Sequence, residues 1–411
     1  MIRSRPRPIL LPGTLLVLAG AASCGDPPPP ERAPAIAIDS AGVRVVTSDP
    51  RNSDTYCALG DEPTLTLGVV EGEEPYMFHW VRGASRLSDG TVAVLNNGTG
   101  EIRVFGADGE HLRSMGGKGE GPGEFRIGRY IWVLPGDTLW VGDYRPWRYH
   151  VYASSGEYAR TVDMKPQYFN ASLGGGVLDN GVSVNARDDA HLRRTPDFGE
   201  PMPWYVEAHA ADGSAVGELA RLEAEREGTW EGAGGVVAML FDPRPSVHAR
   251  GTTIAIATSR EPEVRLLDEQ LRLGRIVRWA DPGREVTRAH VEAFRDRFVE
   301  SRGGRDSENW HRAYDAMLSD RRPVADVFPT VNTVRIGRDG RLWVYPYRKP
   351  GTSEDWWAFG TDGEFQCRLD HPAGVTIYEF GADYLLGVHS DELGTERVVM
   401  YELRTPETGA G

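Results

Sequence analysis

Apolar residues in this chain recur at every second position, in runs of about five residues that end at tight turns. "TVAVLN" (91–96) and "EIRVF" (101–105) show the alternation most clearly. A period of two marks strands with one face buried. These strands form a recurring unit in which a short apolar strand reaches a glycine-containing turn and a second strand leads away. The turns fall at Asp89-Gly90, Gly136-Asp137, Asn180-Gly181, Arg250-Gly251, Asp339-Gly340 and Gly381-Ala382. Asp-Gly and Asn-Gly pairs between alternating runs are strong hairpin signals. One small sheet cannot bury both of its faces, so a repeat of this kind predicts a radial all-β fold. The expected architecture is a six-bladed β-propeller over 36–404. Its blades span about 81–115, 130–162, 172–219, 246–279, 333–369 and 375–403.

The sixth unit supplies only three strands, whereas "IAIDSAGVRVVTS" (36–48) is strand-like and has no blade of its own. The natural expectation is that this early segment, near Val43, pairs near Val399 and completes the last sheet, removing an unpaired edge. Two stretches break the period. Residues 284–320 have a helical pattern, with Val291, Phe294 and Phe298 on one face and Trp310, Tyr314 and Met317 on another, so a helical insertion is expected between blades four and five. Residues 222–237 form a second, shorter excursion, and 405–411 a flexible tail.

The N-terminus reads differently. Arg3, Arg5 and Arg7 precede an apolar run from Ile9 to Ala22, which is too short and too glycine-rich for a membrane span and suits a secretory signal over 1–23. It ends in "LAGAASCG", which resembles the lipobox of bacterial lipoproteins. The resemblance implies lipidation of Cys24 and anchoring in the outer membrane, since Gly25 follows. Ordinary signal cleavage, giving a periplasmic or secreted protein, is the alternative. "DPPPPERAP" then makes 24–35 an extended tether. Cys57 and Cys367 remain. An oxidising compartment permits a disulfide between them, and two buried thiols are the other reading.

Composition narrows the partners. The 411 residues carry a net charge of −14, which argues against nucleic acid and against electrostatic adhesion to anionic membranes. A monomer is expected.

The stretch "GEIRVFGADGEHLRSMGGKGEGPGEF" (100–125), with "DGRLWVYPY", "WWAFGTDGEF" and the tail through 403, resembles a family of six-bladed propeller lipoproteins related to NHL repeats. The resemblance implies architecture and no settled activity. Lys118 among the glycines does not make a phosphate loop, because no Ser or Thr follows it to open a helix and Glu120 and Glu124 would oppose an anion. The stretch is read as a connector whose Phe125 packs between sheets.

Site candidates fall in two groups. Six-bladed lactonase-type enzymes hold a divalent metal at the channel with Glu, Asp and Asn. Glu74, Asn96, Asp143, Asn185 and Asp383 are the candidate oxygen ligands here, of the kind that suits calcium. The same residue types also satisfy turn backbones. Loop aromatics with neighbouring cations form the second group: Tyr144, Arg145, Trp147 and Arg148, and Tyr347, Arg348 and Lys349. They are read as exposed binders of an acidic or carbohydrate-like ligand. His79, His150, His248 and His389 are scattered over different blades, and no Gly-x-Ser-x-Gly elbow is present. The leading expectation is a non-catalytic envelope propeller that binds a peptide, a glycan or a partner protein. A metal-dependent lactonase-like or lyase-like enzyme is the alternative.

Overall fold

The computed structural model describes residues 35–144, 146–167, 173–188, 197–307 and 310–406. The signal segment, Cys24, the proline tether, Arg145 and residues 407–411 lie outside the described residues.

All six glycine turns lie between the first and second strands of an antiparallel meander. The first strands are β1 (Val81–Arg86), β2 (Gly128–Leu134), β3 (Leu173–Val177), β4 (Ser246–Arg250), β5 (Val331–Ile336) and β6 (Val375–Phe380). Each is followed in order by its antiparallel neighbours, as in β1, Val92–Asn96, Glu101–Phe105 and His111–Gly116. Among the described residues the pairing gives one ten-stranded sheet, one five-stranded sheet, three four-stranded sheets and a two-stranded ribbon, not six separate four-stranded sheets. The ten-stranded sheet joins the meanders of β3 and β4 through one parallel pair, Gly176 with Ala249. Gly176 has φ +148°, and a Cβ there would collide with the Ala249 carbonyl, so only glycine lets these two first strands touch.

The sheets pack face to face in a ring. Leu95, Ile102 and Val141 form the core between the meanders of β1 and β2. Trp140, Tyr149 and Tyr205 form the next, and Val206, Leu222 and Ile254 the one after. Trp279, Val334 and Trp357 follow, and then Trp343, Phe380 and Leu385, with the Trp343 and Phe380 rings stacked 4.1 Å apart. Val94, Phe105, Leu386 and Val398 close the circle between the last meander and the first. The fold is therefore all-β with a propeller arrangement.

Closure uses a different segment from the one expected. Val43–Ser48 runs parallel to Leu273–Trp279, with Val45 opposite Ile276, and so extends the meander of β4. Ile36–Ser40 adds a further outer strand. The last meander is completed by Leu65–Leu67, which pairs with Glu396–Arg404 so that Thr66 faces Val399. Leu65 and Leu67 are buried and Thr66 is exposed, so three residues suffice to present a leucine face to the core. Between these segments Cys57 is disulfide-bonded to Cys367, their Cα atoms 5.4 Å apart, and the Cys57 N–H donates to the Arg368 carbonyl.

The helical insertion consists of α1 (Arg288–Glu300) and α2 (Arg312–Leu318). Thr287 and His290 cap α1 reciprocally. Phe294 packs edge-on to Phe241, which lies 4.9 Å from Phe328, and Phe298 packs on Tyr314. Residues 116–125 form a connector. Phe125 is fully buried between the first two sheets, and the Gly121 N–H donates to Glu124. Among the described residues no helix is long and apolar enough to cross a membrane.

Candidate functional site: an arginine-lined axial cavity

A cavity of about 270 Å³ is lined by residues from all six first strands: Arg82 to Ala84 of β1, Arg129 to Trp132 of β2, Gly174 of β3, His248 and Arg250 of β4, Arg335 of β5 and Tyr378 of β6. Only an axial position can be shared by every first strand of a ring, so this is the propeller's channel. In a strand successive side chains point to opposite faces. In "VRGAS", "RYIWV" and "SVHAR" a basic or aromatic residue faces the axis while its neighbours face the cores.

Four guanidinium groups approach this space, and one carboxylate balances them. Glu379 is buried and accepts from Arg250 (2.6 Å), the Arg86 N–H (3.0 Å), the Tyr384 hydroxyl (2.6 Å) and Ser85. Burial raises its pKa, but the Arg250 and Arg338 charges and the hydroxyl donors outweigh that and hold it below the usual value. Its accepting capacity is thus consumed. Among the described residues Arg82, Arg129 and Arg335 make no ion pair. Arg82 lies over Trp80 at 5.2 Å, and Arg129 over Tyr144 at 4.5 Å. Arg335 makes one long hydrogen bond, 3.5 Å, to the Val334 carbonyl. Burial, and then the nearby Arg250 charge, lower the Arg335 pKa.

The remaining polar groups are also donors. Trp132 Nε1 is buried without a hydrogen-bond partner. His248 Nδ1 accepts from the Ile336 N–H at 2.9 Å, so the neutral ring carries its proton on Nε2. Burial, with Arg335 and Arg250 close by, holds the His248 pKa well below its ordinary value. The Tyr378 hydroxyl donates to the Val81 carbonyl, and burial pushes its pKa up to about 12.

Two further cavities adjoin the axial one. A cavity of about 320 Å³ on the rim shares Arg129 and is lined by Tyr144, Arg187, Trp204 and Arg244. A cavity of about 240 Å³ at the opposite end shares Arg250 and reaches Asp137 and Arg338. Arg250 lines both cavities and is paired with Glu379.

The oxygen ligands expected for a metal serve other partners. Asn96 Oδ1 accepts from the His79 N–H at 2.8 Å, and its amide donates to Thr99. Asp143 accepts from the Arg126 and Ile127 N–H groups and lies 3.5 Å from Arg148. Asn185 accepts from the Tyr149 hydroxyl and donates to Ser183. Asp383 is exposed and lies 3.7 Å from Arg86. Glu74 pairs with Arg103, a fully buried arginine that also donates to the Glu74, Pro75 and Met77 carbonyls and so shapes the loop leading into β1. Among the described residues no three His, Cys, Asp or Glu side chains gather as a metal group.

The aromatic candidates divide. Tyr144 lies in the rim cavity, its hydroxyl accepting from Arg187 at 2.9 Å. Trp147, expected to be exposed, is buried edge-on against His209, 5.3 Å away, because it packs into the core beside Tyr149. Tyr347 is half-buried and stacked on Phe328, with burial pushing its pKa up to about 12. Arg348 is exposed and Lys349 donates to the Gly283 carbonyl. Arg82, Arg129 and Arg335 were not candidates from the sequence. Aligning the six repeats on their glycine turns places them in first strands, and an arginine inside an apolar strand is the signal that could have found them.

By sequence, neither a known protein family nor a curated protein matches the chain. Solved structures do. A protein of Bacteroides fragilis described as exported superposes with a TM-score of 0.52 at 11% identity, covering 88% of this chain and all of that one. A member of the DUF4221 family from Bacteroides vulgatus reaches 0.47 at 9% identity over 86% of this chain and all of its own. A gluconolactonase from Xanthomonas campestris reaches 0.41 at 12% identity, covering 92% and 99% of the two chains. At these identities the likeness is one of fold alone.

Proposed function

We propose that this protein is a non-catalytic, six-bladed propeller of the cell envelope that holds a small anion in its axial cavity. The observation that carries the reading is the group of three arginines, Arg82, Arg129 and Arg335, facing one small cavity without a carboxylate partner among the described residues. Arg82 is exposed and Arg129 half-buried, and Arg335 is the one held away from water. Desolvating that cation without an opposite charge is costly, so a fold that retains it beside a void with two further arginines is organised for a ligand that supplies the charge. Arginine is suited to the task because its fork of N–H donors matches carboxylate, sulfate and phosphate oxygens. A cavity of about 270 Å³ is too small for a folded partner or a long peptide. This narrows the wider expectation of peptide, glycan or protein to a small molecule.

The chemistry of the axis also weighs against the lactonase-like alternative. Cationic side chains repel a divalent metal, and Asn96, Asp143 and Asn185 are committed to local partners. Elemental analysis of the purified protein tests this directly: stoichiometric calcium or another divalent ion would favour the enzyme reading. The relation to NHL-repeat lipoproteins, the lipid on Cys24 and the outer-membrane location belong to the same proposal. The NHL relation rests on the stretch 100–125 and the later repeats, the lipid and the location on the lipobox-like "LAGAASCG", and Cys24→Ser is expected to move the protein from the membrane fraction to the soluble one. Retention of that variant in the membrane would contradict the anchor.

Anion binding is tested by calorimetric titration of the purified protein with sulfate and acetate. Arg335→Gln should weaken the tighter of the two by about 10-fold or more. Equal affinity in wild type and variant would sink the reading.

A further inference from the structure

Resting on the anion-binding reading above, we infer that the ligand is one pyranose-sized ring carrying a single acidic group, and that Trp80 is the platform for its ring. Trp80 precedes β1 and is 56% exposed, yet its φ is +62°. A bulky residue in the left-handed region is strained and persists only where its surroundings impose it. They do so here. The Asn97 N–H donates to the Trp80 carbonyl at 3.1 Å, the Gly98 N–H donates to the His79 carbonyl at 2.7 Å, and the His79 N–H donates to Asn96 at 2.8 Å. The His79 ring lies parallel to the indole, 6.0 Å away. The fold therefore holds a large aromatic surface in an unfavourable conformation without burying it in the core.

The indole is coupled to the cavity through Arg82, whose guanidinium lies 5.2 Å from its ring and which itself lines the channel. Deeper in, Tyr130 and Trp132 are stacked at 6.3 Å, and Trp132 Nε1 lacks an acceptor. Trp80 is not itself part of the lining, so a ring resting on it sits at the edge of the cavity, whose volume of about 270 Å³, just below the usual ligand range of about 300–1,000 Å³, leaves room for its acidic group and not for a chain of further rings. A sugar ring offers an apolar C–H face to an indole, and its oxygens accept from a lining made of donors. Its acidic group would engage Arg335. A carboxylate on the ring and a phosphate ester share this chemistry.

The test is calorimetric titration of the full chain with glucuronate, glucose 6-phosphate, glucose and sulfate, repeated with Trp80→Gly and Arg335→Gln. One of the two acidic sugars should bind about 10-fold tighter than glucose or sulfate. The tighter of the pair shows whether the acid is a carboxylate or a phosphate. Trp80→Gly should weaken that sugar about 5-fold and leave sulfate unchanged. Its melting temperature should hold or rise, since glycine relieves the positive φ. If sulfate matches both sugars, or Trp80→Gly changes nothing, the ring assignment falls. The anion reading survives that result provided Arg335→Gln still weakens sulfate. If Arg335→Gln leaves every affinity unchanged, both fall.

Discussion

His150 and His209 are buried, and burial holds each pKa near 4, with the Arg148 charge adding to the effect at His150. In the unfolded chain both would titrate near 6.5, so as pH falls the unfolded chain takes up protons first. Their contribution to stability is complete above about pH 6.5 and is lost between there and about pH 4, at about 1.4 kcal/mol per pH unit for each. The urea midpoint should therefore fall from pH 7 to pH 5, and the pair of substitutions His150→Gln and His209→Gln should flatten that slope. A slope the pair leaves unaltered would show that these rings are not the groups responsible. At the same scale, Asn96 and Asp143 show why a residue type is a weak guide to a site. An amide or carboxylate at the end of a second strand is as useful to the backbone N–H groups of the preceding connection as to a metal.

At the scale of elements, closure depends on a short strand and a covalent tie. Leu65–Leu67 contributes three residues to the last meander, and the disulfide between Cys57 and Cys367, 310 residues apart in sequence, holds the segment leading to it. Removing both sulfurs as Cys57→Ala and Cys367→Ala should cost about 2–5 kcal/mol in chemical denaturation. Unchanged stability would mean that the edge pairing alone holds the ring shut. The meanders were legible because glycines at positive φ, such as Gly90 and Gly340, punctuate strands of clear alternation. The closing strand was not. Alternation tells which residues face a core but not which edge a strand joins, and Val43–Ser48 presents a longer pattern than Leu65–Leu67. Trp147 was misplaced for a related reason: its sequence neighbours look like a loop, but it sits just before a strand whose face packs on the next sheet.

At the scale of the whole molecule, an acidic protein with net charge −14 encloses a cationic channel. Low-dielectric walls focus the field of the three arginines along the axis, which is the basis of the proposed anion site inside a protein whose outer surface disfavours anions. This contrast exists only in three dimensions. Arg82, Arg129 and Arg335 are far apart in sequence, and no single strand shows that they meet. The propeller places the first strand of every repeat on one axis, so six separate positions become one site. The most direct test of that claim is anomalous diffraction from crystals soaked in selenate. Selenium is expected inside the axial cavity, within hydrogen-bonding distance of the Arg335 guanidinium. Selenium found only on the outer surface, with the cavity holding none, would contradict the account.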